Sequence, residues 1–275
     1  MAGKKKLRTF AICGLSGICI LGLLLMSTCG FALNPGYENT DCAKVKPHIV
    51  FLVNQDSLNY EAHKTIPVFA KELRDTKKYK VTVILGNGKN TAFHFPGLEV
   101  ISGADLLVIF ARRVALSHHQ MAIVKRYFKE GKPLVAIRTA NHAFSVREKL
   151  SEGFESWDGF VPEILGCQNR GYGPVNIGID VAVQGSPHPV LSNLYGLKFH
   201  SEGNLYRVAP LLDDLATVLL KGNSGSETEP VAWLRFSGKS RVFYTSLGYP
   251  TDFKSSFFKN LLVNGIDWAM EKEKL

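Results

Sequence analysis

The chain has 275 residues, of which 45% are hydrophobic, and this is enough apolar sequence to bury a full core in one domain or two small ones. The formal net charge is +9, but four of the positive side chains lie within residues 4–8, in an N-terminal segment without acidic residues. Residues 33–275 therefore carry only +5. This mild charge, without a basic stripe interleaved with aromatic side chains, argues against a nucleic-acid partner.

The first 32 residues are typical of a segment that directs export. A basic stretch at residues 4–8 precedes an uncharged apolar run at residues 10–26, which lacks the polar face of a core helix. Three fates stay open: cleavage after Ala32, lipidation at Cys29, or retention of the run as an uncut membrane anchor. All three predict an exported protein, periplasmic or at the cell envelope, with residues 33–46 as a linker. The last two would attach it to the membrane.

Beyond the export segment the sequence contains only two cysteines, Cys42 and Cys167. Their spacing is not that of a metal site. An oxidising compartment would permit a bridge between them, although two cysteines do not make a disulfide scaffold. The sequence leaves their pairing open.

Strands alternate with helices through the first half of the remaining chain. Continuous apolar runs, typical of buried parallel strands, occupy residues 48–53, 81–85, 106–110 and 134–137. Helical patterns lie between them at residues 60–74 and 117–129, the second with Ser117 as its N-cap. This alternation predicts an α/β fold with a doubly wound, mostly parallel sheet and helices on both faces.

The second half of the chain has a less regular pattern. Residues 153–174 are rich in glycine and aromatic residues and are predicted to form a long loop. The segments that follow are a strand at 177–183, a hairpin formed by 231–236 and 241–246, and a closing amphipathic helix at 253–270. We expect residues 47–275 to form one domain.

Polar side chains cluster where the predicted strands end. Ligands of an open parallel sheet bind outside the carboxyl ends of its strands. The side chains at these ends are Asn54, Asp56, Glu61 and His63 after the first strand, Arg138, Thr139, Asn141 and His142 after the fourth, and Ser246, Tyr249 and Asp252 after the last. A glutamate, two histidines and an arginine that converge there could bind an anionic or hydroxyl-rich ligand, or a metal.

The strongest local signal is residues 138–142, where a buried strand turns into a helix. Neither cysteine nor serine occupies this turn, which disfavours covalent acyl transfer. We predict Arg138, Thr139 and His142 as catalytic residues that handle charge or protons. In the alternative interpretation Arg138 is an internal ion-pair partner and His142 caps a helix.

Other candidates carry weaker signals. Glu61 and His63 are two residues apart, so on a helix they point in different directions, and a solvated first turn is the favoured interpretation. Two prolines hold His188 in a loop. Trp157 lies in the glycine-rich segment and is the better sugar-stacking candidate, whereas Trp233 and Trp268 are expected in the core. Since no HxxxH or HxH pattern occurs, a divalent metal is disfavoured and no cofactor is predicted.

Several segments together point to one family. Residues 60–71 (YEAHKTIPVFAK), 131–144 (GKPLVAIRTANHAF), 229–233 (EPVAW) and 241–248 (RVFYTSLG) resemble the ThuA-like (trehalose-utilisation) family. The resemblance implies a flavodoxin-like fold of the class I glutamine-amidotransferase-like superfamily, with carbohydrate catabolism as its context. The family lacks the amidotransferase cysteine at the elbow, where Arg138 stands here, so glutamine hydrolysis is not expected.

The chain departs from typical family members at three places. The loop at residues 166–174 has no His-rich stretch, and Tyr249 stands where the closing motif has a histidine. Residues 203–206 read Gly-Asn-Leu-Tyr where typical members have Asp-Glu-Leu-Tyr. These departures weaken metal- or His-dependent chemistry and make a binding-only descendant credible.

Two hypotheses about function follow. In the first, the protein is an exported enzyme, a hydrolase or lyase, that acts on a sugar or keto-sugar derivative by acid–base chemistry without a cysteine nucleophile. Arg138 would orient an anionic or carbonyl oxygen, and His142 would be the acid or base. The substrate-binding residues would be Glu61, His63, Asn141, Trp157, His188, Tyr206 and Tyr249. In the second, the protein is a non-catalytic carbohydrate-binding or scaffolding protein of the envelope, with the glycan on Trp157 or Tyr172.

Overall fold

The computed structural model describes residues 45–271 of the chain. The expectations for the export segment, most of the linker and Cys42 concern residues outside this range. The described residues form a mixed α/β structure with one large sheet. Within them, no helix combines the length and the hydropathy needed to cross a bilayer.

The described chain contains strands, three longer helices and several short helical turns. The strands are β1 (His48–Asn54), β2 (Lys80–Lys89), β3 (Ala92–His94), β4 (Leu106–Phe110), β5 (Leu116–Ser117), β6 (Leu134–Ile137), β7 (Phe154–Glu155), β8 (Ile179–Val183), β9 (Phe199–Ser201), β10 (Thr217–Ser224), β11 (Glu227–Ser237) and β12 (Ser240–Thr245). The α-helices are α1 (Ala62–Asp75), α2 (His118–Lys129) and α3 (Ser256–Met270). The shorter helices are Leu98–Gly103, Arg138–His142, Phe160–Leu165, Pro189–Leu191 and Asp252–Lys254.

These strands form one hydrogen-bonded sheet in the order β7-β5-β3-β2-β1-β4-β6-β12-β11-β10-β8-β9. Its centre, β2-β1-β4-β6-β12, is parallel throughout. Beyond β12 the strands β11, β10, β8 and β9 continue the sheet with antiparallel pairing. The carboxyl ends of β1, β4, β6 and β12 therefore meet at one edge.

Both faces of the central strands are buried, which explains their uninterrupted apolar sequences. In β1, Ile49, Phe51 and Val53 belong to the core that also contains the apolar faces of α1 and α3. Val50 and Leu52 point to the opposite core, which contains the apolar face of α2. Helices thus pack against both faces of the sheet.

The predicted strands and helices are confirmed, with shifted ends that have local causes. Helix α1 begins at Ala62 and not at Tyr60, because Tyr60 and Glu61 have left-handed backbone angles, φ 50° and 51°. Helix α3 begins at Ser256, after Ser255 accepts a hydrogen bond from the Phe257 N–H. The predicted cap Ser117 is confirmed in the same way by its bond from the Gln120 N–H.

The prediction of one long loop at residues 153–174 was wrong. The segment contains the short strand β7 and the helix Phe160–Leu165. The side chains of Phe160 and Leu165 are fully buried, and the indole of Trp233 donates a hydrogen bond to the Leu165 carbonyl oxygen. Burial of aromatic side chains orders this segment despite its glycines. The prediction that Trp233 and Trp268 lie in the core is confirmed.

Helix α3 approaches the sheet closely at Gly265. A Cβ atom there would lie 2.3 Å from the ring of the fully buried Phe243. We predict that Gly265→Ala lowers the free energy of unfolding by about 1–3 kcal/mol, because overpacking outweighs the gain in helix propensity of about 1 kcal/mol. Urea unfolding followed by circular dichroism measures this change.

Ser256→Ala is the matched control, since Ser256 is an exposed residue at the start of the same helix. It should change the free energy of unfolding by less than about 0.5 kcal/mol. If Gly265→Ala is as stable as the wild type, or more stable, the tight contact between Gly265 and Phe243 is contradicted.

Candidate functional site

A cleft of about 730 Å³ opens at the edge of the sheet where β1, β4, β6 and β12 end. Its walls come from the loops that follow these strands and from the segments around residues 170 and 204. The lining residues are Ser57, Leu58, Tyr60, Glu61, Arg112, Arg113, His142, Arg147, Asn169, Gly171, Tyr172, Glu202, Asn204, Tyr206, Tyr249, Pro250 and Thr251. This is the edge at which ligands of parallel sheets bind.

Three tyrosine rings line the cleft and surround the guanidinium of Arg138. The Arg138 Cζ atom lies 4.0 Å from the ring centre of Tyr60, 4.9 Å from that of Tyr206 and 5.9 Å from that of Tyr249. Arg138 itself has no exposed surface. The arginine is therefore held by cation–π contacts beneath the tyrosines, which separate it from the cleft.

Backbone oxygens supply the hydrogen bonds of this guanidinium. Arg138 Nη1 donates to the Ser246 carbonyl oxygen at 2.8 Å, and Nη2 donates to that of Asn204 at 3.5 Å. A Cβ on Gly203 would lie 2.8 Å from both terminal nitrogens, so the absence of a side chain there makes room for the group. Among residues 45–271, no carboxylate lies within ion-pair distance of Arg138, and its Nε has no hydrogen-bond partner.

The two phenols nearest Arg138 have opposite pKa shifts. Burial raises the pKa of Tyr206. Burial also acts to raise the pKa of Tyr60, but the charge of Arg138 and the hydrogen bond from the Tyr206 hydroxyl outweigh it and lower that pKa. The Tyr206 hydroxyl donates to the Tyr60 oxygen at 3.4 Å. Tyr60 is thus the phenol that ionises more easily, and Tyr206 remains the donor.

His142 lies at the inner wall of the cleft with only 8% of its surface exposed. Burial, together with the charges of Arg113, Arg112 and Arg147, lowers its pKa to about 3. Its Nδ1 is 2.5 Å from the Asn141 Oδ1 atom. Because this amide oxygen can only accept, Nδ1 carries the proton of the neutral imidazole and Nε2 is a hydrogen-bond acceptor near neutral pH.

A buried polar network fixes the loops beneath the cleft. The Asn59 amide donates to the Asn54 Oδ1 atom at 2.8 Å and to the Phe110 carbonyl oxygen at 2.9 Å. The Thr139 hydroxyl donates to Asn59 Oδ1 at 2.5 Å, and the Arg112 N–H donates to Asn54 Oδ1 at 2.9 Å. These bonds join the segments after β1, β4 and β6 and set the positions of their side chains.

Asp252 fixes the loop after β12. Its buried carboxylate accepts hydrogen bonds from the Gly248 N–H at 2.8 Å, the Tyr249 N–H at 2.9 Å and the Ser201 hydroxyl at 2.9 Å. Burial raises the pKa of this carboxyl despite these bonds. The bonds hold Tyr249 against Tyr60, with ring centres 5.8 Å apart.

A sequence model of the ThuA family, described as trehalose utilisation, matches residues 50–269. The chain belongs to the ThuA family. The resemblance noted in the sequence is thereby confirmed, and family membership supports a carbohydrate-related role.

Solved structures are similar to this ThuA protein in fold. A ThuA-like protein from Bacteroides uniformis is 17% identical with a TM-score of 0.63, over 84% of this chain and 94% of the other. One from Parabacteroides merdae is 16% identical with a TM-score of 0.63, over 82% and 90%. A cytoplasmic protein from Salmonella typhimurium is 12% identical with a TM-score of 0.51, over 82% and 100%. No curated protein sequence matches the chain.

The residues predicted from the sequence separate into three groups in this ThuA protein. Glu61, His142, Tyr206 and Tyr249 line the cleft. Arg138, Thr139 and Asn141 are buried beneath it, Arg138 and Thr139 with no exposed surface and Asn141 with 1%. His63, Trp157 and His188 are not among the cleft residues.

Local packing explains the positions of Trp157 and His188. Trp157 packs against Phe128, Phe144 and Phe160, with ring centres 5.4–6.5 Å away, so its ring belongs to an aromatic cluster of the core. His188 Nδ1 accepts a hydrogen bond from the Val190 N–H and begins the helix Pro189–Leu191. Trp157 and His188 therefore lie outside this cleft, and their contact with a ligand stays a prediction.

Sequence reasoning missed residues that contribute much of the cleft surface. Five residues that line the cleft were not selected from the sequence: Tyr60, Arg112, Arg113, Arg147 and Asn204. Arg112 and Arg113 follow β4 directly, so the rule of strand carboxyl ends applied to that strand would have selected them. Arg147 and Asn204 lie in irregular segments, and the sequence offers no comparable signal for them.

Backbone strain also concentrates at the cleft. Left-handed angles occur at Tyr60 (φ 50°), Glu61 (φ 51°), Arg113 (φ 48°) and Arg138 (φ 45°). None of these residues is a glycine, so each conformation costs free energy that the surrounding contacts must offset. Such strain is typical of functional sites.

Within residues 45–271, no group of three or more His, Cys, Asp or Glu side chains could hold a metal ion.

His142 should make the ThuA protein sensitive to acid. Its folded pKa of about 3 is below the ordinary 6.5, so below about pH 6.5 the unfolded chain binds a proton that the folded chain does not. The free energy of unfolding should therefore fall as pH decreases, by up to about 1.4 kcal/mol per pH unit from this residue. His142→Gln should show a shallower slope in urea unfolding between about pH 6 and pH 4.

His119→Gln is the matched control, because His119 is exposed on α2. This variant should keep the slope of the wild-type protein. Identical slopes for His142→Gln and the wild type would contradict a neutral, buried His142.

Proposed function

We propose that this protein is an exported ThuA protein that acts on a sugar or keto-sugar derivative by acid–base chemistry, without a cysteine nucleophile. One observation carries the proposal: Tyr60, with its pKa lowered, faces the cleft between the buried cation Arg138 and the donor Tyr206. Two phenols with opposite pKa shifts are the arrangement that separates a proton-transfer group from a fixed donor.

Tyr60 takes the role of acid or base in this proposal. Its oxygen would exchange a proton with a hydroxyl, or with a carbon next to a carbonyl group, of the bound sugar. Arg138 favours the phenolate by its charge, and Tyr206 favours it by its hydrogen bond. Arg138 is a positioning residue because three tyrosine rings separate it from the cleft. His142, neutral near pH 7, would hydrogen-bond the substrate.

The remaining cleft surface suits a hydroxyl-rich ligand. Asn169 and Asn204 offer amide groups, and the half-exposed Tyr172 offers an aromatic face with a polar end. Such groups bind sugars through paired hydrogen bonds and contact with the apolar ring face. The reaction class is that of a hydrolase or lyase, and it would proceed without a bound metal or other cofactor.

The fold and the location belong to the same proposal. We assign residues 47–275 to one flavodoxin-like, doubly wound domain, supported by the parallel order β2-β1-β4-β6-β12 and by helices on both faces. Residues 1–32 would act as a signal peptide or membrane anchor and 33–46 as a linker, supported by the basic stretch at 4–8 and the apolar run at 10–26. The domain would then act in the periplasm or at the cell envelope.

The test uses trehalose and its 3-keto derivative with the purified full-length protein, followed by NMR for new products. The wild type should convert one of them. Tyr60→Phe keeps the ring over Arg138 but removes the hydroxyl, so turnover should fall by about 10²–10⁴-fold while the folded protein remains stable. Thermal unfolding by circular dichroism reports on that stability.

Tyr195→Phe is the control, because Tyr195 is an exposed phenol whose hydroxyl accepts a hydrogen bond from the His188 N–H outside the cleft. Its turnover should equal that of the wild type. Unchanged turnover in Tyr60→Phe would refute the role of Tyr60. Saturable binding of the sugars without any product would favour the non-catalytic carbohydrate-binding alternative.

A further inference from the structure

Positive charge concentrates on one wall of the cleft. Arg112 and Arg113 follow β4, and Arg147 follows the helix Arg138–His142, so two adjacent loops bring three arginines to the same wall. Burial, with the charges of Arg147 and Arg112, lowers the pKa of Arg113. The arginines therefore repel one another.

Of these three arginines, only Arg112 has a carboxylate partner among the described residues. Arg112 pairs with Asp56 at 3.1 Å. For Arg113 and Arg147, no carboxylate of residues 45–271 lies within 4.0 Å, and Glu148 only partly offsets the repulsion at Arg113. Arg113 Nη1 donates to the Ser145 carbonyl oxygen at 3.0 Å, which is a neutral acceptor.

The carboxylates that line the cleft have contacts of their own. Glu61 pairs with Lys64 at 2.7 Å, and Glu202 accepts a hydrogen bond from the Thr251 hydroxyl at 3.1 Å. Neither is an ion-pair partner of the arginine wall. His142, beside this wall, is neutral and adds no charge. An anionic group there would relieve the repulsion between the arginines.

We propose that Arg113 and Arg147 form an anion subsite, and that the sugar derivative bound in the cleft carries a carboxylate or a phosphate. The inference rests on the proposed function for the sugar part of the ligand. Guanidinium groups bind both anions through charge-assisted, bidentate hydrogen bonds. The hydrogen bond from Arg113 Nη1 to the Ser145 carbonyl oxygen holds the Arg113 side chain at this wall. The ring of the sugar then faces Tyr60 and Tyr249, where the proton transfer is proposed.

The experiment compares three probes of similar size by titration calorimetry: glucose, glucuronate and glucose 6-phosphate. The wild-type protein should bind one or both anions at least about tenfold more tightly than glucose, and added salt should reduce this preference. Glucuronate and glucose 6-phosphate distinguish the carboxylate from the phosphate as the natural group. Arg113→Gln and Arg147→Gln should each lose most of the preference for the anions over glucose.

Arg126→Gln is the control, because Arg126 is an exposed arginine on α2 outside the cleft. It should retain the wild-type preference for the anions. Equal affinity for glucose and both anions would overturn the anion subsite and leave the proposed function standing. Anion binding that persists in Arg113→Gln and Arg147→Gln would also overturn it. Conversion of neutral trehalose derivatives, measured separately by NMR, decides the proposed function.

Discussion

The buried charge of Arg138 is the constraint around which the cleft is arranged. A guanidinium with no exposed surface loses its hydration, a cost of several kcal/mol that the surrounding groups must offset. No carboxylate in the described part of the chain, residues 45–271, forms an ion pair with it. Two carbonyl oxygens and the faces of three tyrosines offset this cost, and Gly203 leaves the necessary space. The tyrosines that stabilise the cation also line the cleft, so the contact that offsets the burial of Arg138 also lowers the pKa of Tyr60.

Much of the fold could be predicted because the central strands are buried on both faces. Such strands need continuous apolar sequences, and residues 48–53 and 106–110 are of this kind. The start of α1 could not be predicted, since the left-handed angles of Tyr60 and Glu61 arise from their place at the cleft and not from helix propensity. The order in residues 153–174 was also missed, because it depends on aromatic contacts with distant parts of the chain.

The site was predictable in position but not in the role of each residue. The carboxyl-end rule selected His142 and Tyr249, which line the cleft, and also Arg138 and Thr139, which are buried under it. A sequence position at the end of a strand does not reveal whether a side chain turns towards solvent or inward. That direction depends on the Asn54–Asn59 hydrogen bonds and on the tyrosine rings, which come from segments far apart in the chain.

The contact between Gly203 and Arg138 has a consequence for how the family can diverge. A side chain at position 203 collides with the guanidinium, whereas an arginine at position 138 requires the space that glycine provides. The two positions are therefore expected to covary among descendants, and neither change is neutral on its own. An acidic residue at position 203 would therefore require a relocated or shorter side chain at position 138. The order of mutations, and not only their sum, then determines which cleft chemistries evolution can reach.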